Sequence, residues 1–229
     1  MKILQINSHF NHGGAARIVA CIHKQILREG EKSYVAYGRG EKSVSPEVYR
    51  FNFPAEVYAS ALASRVIGIH GWSNEAATTR LLKFMEKVKP DIIHMHALHG
   101  YYINLPVLFR YINEKKIPCV WTHHDCFAFT GNCGYFFECD RWKTGCGNCP
   151  DIHTYPKSQW FDKTNWMWRQ KKELFVKNDK KIMVTPSDWL TGEVKKSFLG
   201  SYECITIHNG IDTKGTFYPR EKLACRKKY

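Results

Sequence analysis

No stretch of about 18 consecutive apolar residues occurs in the chain, so the sequence offers no transmembrane helix of ordinary length. It also lacks the pattern of a secretory leader. "MKILQINSHF" carries one early lysine and a short alternating apolar run, which reads as a first strand. Internal repeats and low-complexity tracts are missing, which argues against a solenoid or a largely disordered chain. The complete G-x-G-x-x-G fingerprint is absent too, so a nicotinamide cofactor is not indicated. Acidic residues are scarce: 21 Asp plus Glu against 34 Lys plus Arg leave a net charge of +13. Such an excess suits anionic partners, whether phosphates, nucleic acid or an acidic membrane surface. Runs such as Lys171-Lys172, Lys180-Lys181 and Arg226-Lys227-Lys228 read first as solvated faces. At 229 residues, 44% hydrophobic and 24% charged, one large soluble domain is expected. Without leader or span the expected compartment is the cytoplasm, where thiols stay reduced.

What is present alternates. "KILQI", "SYVAY", "DIIHM", "CVWT", "KIMVT" and "CITI" are short, apolar and β-prone, as strands covered on both faces should be. Between them, Ala15, Ile18, Val19, Ile22 and Ile26 make one helical stripe. Ala77, Leu81, Phe84, Met85 and Val88 make a second, and Leu190, Val194 and Phe198 a shorter third. Gly30 and Lys89-Pro90 mark helix stops, and Ser187-Asp188 a helix start. The fold class expected is therefore α/β, a Rossmann-like parallel sheet with helices on both faces. Residues 125–163 follow neither period and read as a Cys-rich insertion leaving the "CVWT" strand, functional or internally stapled.

Three constellations could carry chemistry. In "NSHFNHGGAARI" a strand, then Gly13-Gly14, then a helix start offers free amides to an anionic or polar ligand; the plainer reading is a tight turn. His94 and His96 share a strand face in "DIIHMHALHG", and His123, His124 and Asp125 end the next strand. Both sets fall at the carboxyl edge of the sheet, where open α/β folds bind ligands. Cys133, Cys139, Cys146 and Cys149 give C-x5-C-x6-C-x2-C, with Cys126 seven positions earlier. "CGNC" before Pro150 resembles a zinc knuckle, so a structural zinc is the leading reading. Disulfides, a redox pair and plain buried cysteines stay open.

Taken in order, "GGAAR", "PDIIHMHALHGYY", "HHDCFAFTGNC", "CDRWKTGCGNCP", "VTPSDWL" and "IHNGID" resemble the N-terminal half of family 4 glycosyltransferases of the retaining GT-B type. The resemblance is to the cysteine-containing subset of bacterial polysaccharide and colanic-acid-like gene clusters. It implies two Rossmann-like domains: an acceptor-side one here, over 1–212, and a donor domain that binds the nucleotide-sugar. It further implies that Gly13, Gly14 and Arg17 lie by the donor phosphates and acceptor. His124 would then be the catalytic histidine of an "HD" motif with Asp125 beside it, His96 would bind substrate, and Asn209 would sit at an interdomain hinge. Residues 213–229 read as a linker remnant and tail, with the donor domain absent and the chain incomplete as a catalyst. The partner implied is a saccharide or lipid-linked saccharide acceptor, with peripheral contact to an anionic inner-membrane face. Trp160, Trp166 and Trp168, near Arg169, Lys171 and Lys172, could form a membrane patch, stack on sugar or belong to the core.

Two other functions compete. A non-catalytic, basic zinc-knuckle module could bind single-stranded nucleic acid. Against it, the charge is spread along the chain and Glu138, Asp140 and Asp151 flank the cysteines. A thiol oxidoreductase would need Cys146 or Cys149 as an exposed thiolate of low pKa.

Overall fold

A computed structural model describes residues 1–215, 217–222 and 225–226. Seven strands form one sheet in which every pairing is parallel, in the order β3-β2-β1-β4-β5-β6-β7. They are β1 (Lys2–His9), β2 (Lys32–Arg39), β3 (Val48–Arg50), β4 (Ile92–Met95), β5 (Cys119–Thr122), β6 (Lys181–Thr185) and β7 (Cys204–Thr206). The helices are α1 (Gly14–Arg28), α2 (Pro54–Ile67), α3 (Glu75–Val88), α4 (Leu105–Lys115), α5 (Thr164–Phe175) and α6 (Asp188–Lys196). Each of the six apolar runs singled out in the sequence is a strand, and the α/β, Rossmann-like expectation holds. Parallel pairing forces each connection to cross over the sheet, so the chain leaves every strand at the same edge. That edge carries the turn before α1 and the ends of β4 and β5.

Punctuation works as its chemistry requires. Gly30, at φ 76°, continues α1 into a left-handed turn that a Cβ would strain. Ser187 caps α6 by accepting from the Leu190 amide at 3.3 Å. Between β5 and α5 the only regular element among the described residues is one 3-10 turn, Arg141–Lys143. The core over the sheet is built from Leu4, Ile6, Leu81, Ile93, Met95, Phe109, Trp121 and Phe175, all at most 2% exposed. Trp142 joins that core with Phe129 from the cysteine segment, ring centroids 5.1 Å apart.

Several expectations are corrected. The buried face of α1 is Ala16, Val19, Ala20 and His23, about one residue round from the stripe read in the sequence. Lys171, read as part of a solvated face, is wholly buried; of the three tryptophans, Trp168 at 8% exposure belongs to the core, as one of their readings had it, whereas Trp160 and Trp166, at 66 and 39%, are exposed. The 213–229 segment falls partly on residues outside the described ones. No described helix is long and apolar enough to cross a membrane.

Candidate active site at the carboxyl edge of the sheet

The turn after β1 is open. Gly13 adopts φ 93°, which suits glycine, and a Cβ on either Gly13 or Gly14 would meet nothing within 4 Å. Arg17 stands exposed one turn into α1, its amide donating to the Gly13 carbonyl at 3.1 Å.

Behind this turn, β4 and β5 bring the histidines together. His96 lies at hydrogen-bond distance from His124, 3.1 Å between Nδ1 and Nε2, and the two rings stack 5.4 Å apart. His94 packs on His96 at 4.1 Å and meets the Thr122 hydroxyl at 2.8 Å. Burial lowers the pKa of His96 well below the usual histidine range and lowers that of His124 as well, so both rings are neutral near pH 7. His96 Nε2 is buried without a partner. A buried orphan N–H is rarer than an orphan acceptor, so we assign the proton of His96 to Nδ1, donated to His124 Nε2. His124 then carries its own proton on Nδ1, available to a bound ligand.

Asp125 makes a second pair. Its Oδ2 accepts from His99 Nε2 at 2.7 Å and its Oδ1 from the Phe127 amide at 2.9 Å. Burial alone would raise its pKa, but His99 and these bonds outweigh it and hold the carboxyl below its ordinary value. Tyr155 reaches His99 with its hydroxyl at 3.4 Å. His99 was not singled out in the sequence. Its signal was the third histidine of "HMHALHG", legible only once the chain turns back over β5.

Asn209 is not drawn into this group. It lies exposed beyond β7, in a segment whose Gly210, Ile211 and Asp212 line a groove against Ile18, Cys21 and Ile22 of α1.

The cysteines lie to one side. All nine are free thiols. Cys133, Cys139, Cys146 and Cys149 line one small void of about 20 Å³. Cys146 and Asn148 have left-handed backbones, φ 50° and 45°, and the Gly131 amide points at Cys146 Sγ at 3.1 Å. The donor set and knuckle turn suit a soft metal. As arranged, however, no group of three or more His, Cys, Asp or Glu among the described residues is disposed to hold one. Burial pushes Cys146 up to about 12 and Cys149 up to about 11, the opposite of the activated thiolate that an oxidoreductase would need.

A family model described as Glycosyltransferase Family 4 matches residues 12–214. The chain belongs to this family. Its match spans the open Gly13-Gly14 turn, both histidine pairs and the cysteine segment. A protein of Escherichia coli (strain K12) carrying the provisional name colanic acid biosynthesis glycosyl transferase WcaC is 30% identical over 232 residues. That alignment takes in 93% of this chain and 55% of the relative, so the chain spans about half the length of the relative it matches.

Proposed function

We propose that this family 4 chain is the acceptor-side half of a retaining, GT-B type glycosyltransferase. It would act in moving a sugar from a nucleotide-sugar to a saccharide or lipid-linked saccharide acceptor. The observation that carries the reading is the neutral His96–His124 pair beside the open Gly13-Gly14 turn, with His99–Asp125 next to it. A proton on His124 Nδ1, held in orientation by His96, is a preorganised donor to a sugar hydroxyl or leaving-group oxygen as charge develops there. Gly13 and Gly14 supply room and amides for a phosphate, and Arg17 a cation within reach of the same turn. Asn209 we keep as a hinge position.

Sugar transfer from a nucleotide-sugar to a lipid-linked saccharide, followed with radiolabel in membranes of cells that express this half together with a donor-side half, tests this. His124→Ala is expected to lower kcat/KM by about a hundredfold to a thousandfold, the usual loss of one preorganised donor. Melting should stay within a few degrees of wild type. Transfer at the wild-type rate by the variant, or none by the wild type with any donor, would overturn the reading.

Zinc at Cys133, Cys139, Cys146 and Cys149 is a separable part of the proposal, as a staple and not as catalyst. Reduced protein is expected to hold one metal ion per chain and to melt several degrees lower after chelation. Metal-free protein with an unchanged melt removes zinc. The nucleic-acid module has no comparable support: Phe129 and Trp142 beside the cysteines are buried, and of the exposed aromatics there, Tyr135 and Phe137, the latter shares its surface with Glu138, Asp140 and Asp151, which would repel phosphates.

A further inference from the structure

Helix α2 is inside out. Its buried positions are Ser60 and Ser64, whereas Tyr58, Leu62 and Val66, spaced four apart, are 76, 65 and 39% exposed. Single apolar residues on a surface need no explanation, but a row of them on a helix that turns serine inward does. Beside this row lies a cavity of about 530 Å³, lined by Val57, Tyr58, Leu62 and Arg65 of α2 and by Arg39 and Arg50 at the ends of β2 and β3. Backbone carbonyls steady two of the guanidinium groups: Arg39 donates to Gly100 at 3.3 Å and Arg50 to Gly40 at 2.8 Å. None of the three pairs with a carboxylate; Arg80 with Glu56 is the one arginine ion pair among the described residues. Three arginines facing one cavity with no acid make a site for an anion, and their planar forks match phosphate oxygens.

We propose that this groove seats the phosphate-bearing head of a lipid-linked acceptor, with the arginines on the phosphate and the first carbons of the lipid along the α2 row. The inference rests on the acceptor-side reading above and narrows its substrate to lipid phosphates. Tyr101, which also lines the cavity, is adjacent to Gly100 and packs 6.0 Å from Tyr155, the partner of His99. A phosphate held here therefore leaves its attached sugar beside the histidine cluster.

Dodecyl phosphate below its micelle concentration is the probe, with inorganic phosphate and dodecyl maltoside as the two half-ligands, all followed by calorimetry without any sugar donor. Dodecyl phosphate is expected to bind at least about tenfold tighter than either half. Arg50→Gln with Arg65→Gln should weaken it about a hundredfold, at roughly tenfold per charge-assisted contact, and Leu62→Ser about tenfold. Lys83→Gln with Lys87→Gln on α3, which removes equal charge elsewhere, should leave binding unchanged. Equal affinity for inorganic phosphate, equal affinity for the maltoside, or equal losses in the lysine control would each overturn the proposal. Because no donor is present, tight dodecyl phosphate binding without sugar transfer would sink the transferase reading and spare this one. Full-rate transfer to an acceptor lacking the lipid phosphate would do the reverse.

Discussion

Replacing Lys171 with methionine is expected to destabilise the fold by about 3 kcal/mol, the low end of the cost of leaving three buried carbonyls without a donor. Lys171 is wholly buried on α5. Its ammonium donates to the carbonyls of Phe127, Thr130 and Gly131 at 2.7, 3.2 and 3.2 Å and lies 3.3 Å from the centroid of the Phe127 ring. Methionine fills the volume and removes the burial cost of a cation, a cost large enough to pull the lysine pKa down to about 7. It also leaves three buried carbonyls unpaired, each costing about 1–3 kcal/mol, and this is the larger effect. For a domain of this size about 3 kcal/mol lowers melting by roughly 6–12 °C. The loop held by Lys171 begins two residues after Asp125, whose Oδ1 bonds the Phe127 amide, so loosening it should also disturb the His99–Asp125 pair. Urea unfolding of wild type and Lys171→Met decides it: a difference under about 0.5 kcal/mol, the scale of an ordinary surface change, would show that water reaches those carbonyls.

The strands were legible in the sequence because burial on both faces leaves short, dense apolar runs that little else produces. Strand β3 is three residues at the sheet edge and too short to carry a period. Helix α2 escaped for a different reason: with Ser60 and Ser64 inward and its apolar row outward, its pattern does not point to a core. In α1 the half-buried Ile18 and Ile22 face the groove formed with Gly210–Asp212, while Ala16, Ala20 and His23 take the sheet side. Small residues pack close and His23 bonds the Ser33 hydroxyl at 2.7 Å, neither of which a hydrophobic stripe reveals. For the site, position was legible and pairing was not. Strand ends located His96, His124 and Asp125. Which ring meets which depends on the register that sets Ile93 opposite Cys119 and on the loop that returns His99 to Asp125.

Those buried histidines should make the fold sensitive to mild acid. His123, 3% exposed, packs on Trp121 at 4.8 Å and faces the Met183 sulfur at 3.3 Å. Burial lowers its pKa from 6.5 to about 4. The unfolded chain therefore binds a proton near pH 6.5 that the folded chain refuses until about pH 4, and unfolding is favoured as pH falls through that window. The gap corresponds to about 3 kcal/mol from His123 alone. His70 and His96 are lowered in the same direction, also first by burial, and add to the slope. Lys171 contributes none of it, since below pH 7 it is protonated in both states. Asp125, held below its ordinary value, loses its contribution only under still more acid conditions. With an ordinary stability of about 5–15 kcal/mol, urea midpoints should drop steeply between pH 6.5 and 4.5. His123→Phe, which keeps a ring against Trp121 and removes the titrating group, should flatten that drop by about one proton's worth. A midpoint that stays level from pH 7 to 5 would mean that the histidines take up protons in place, and that the cluster at the sheet edge is open to water.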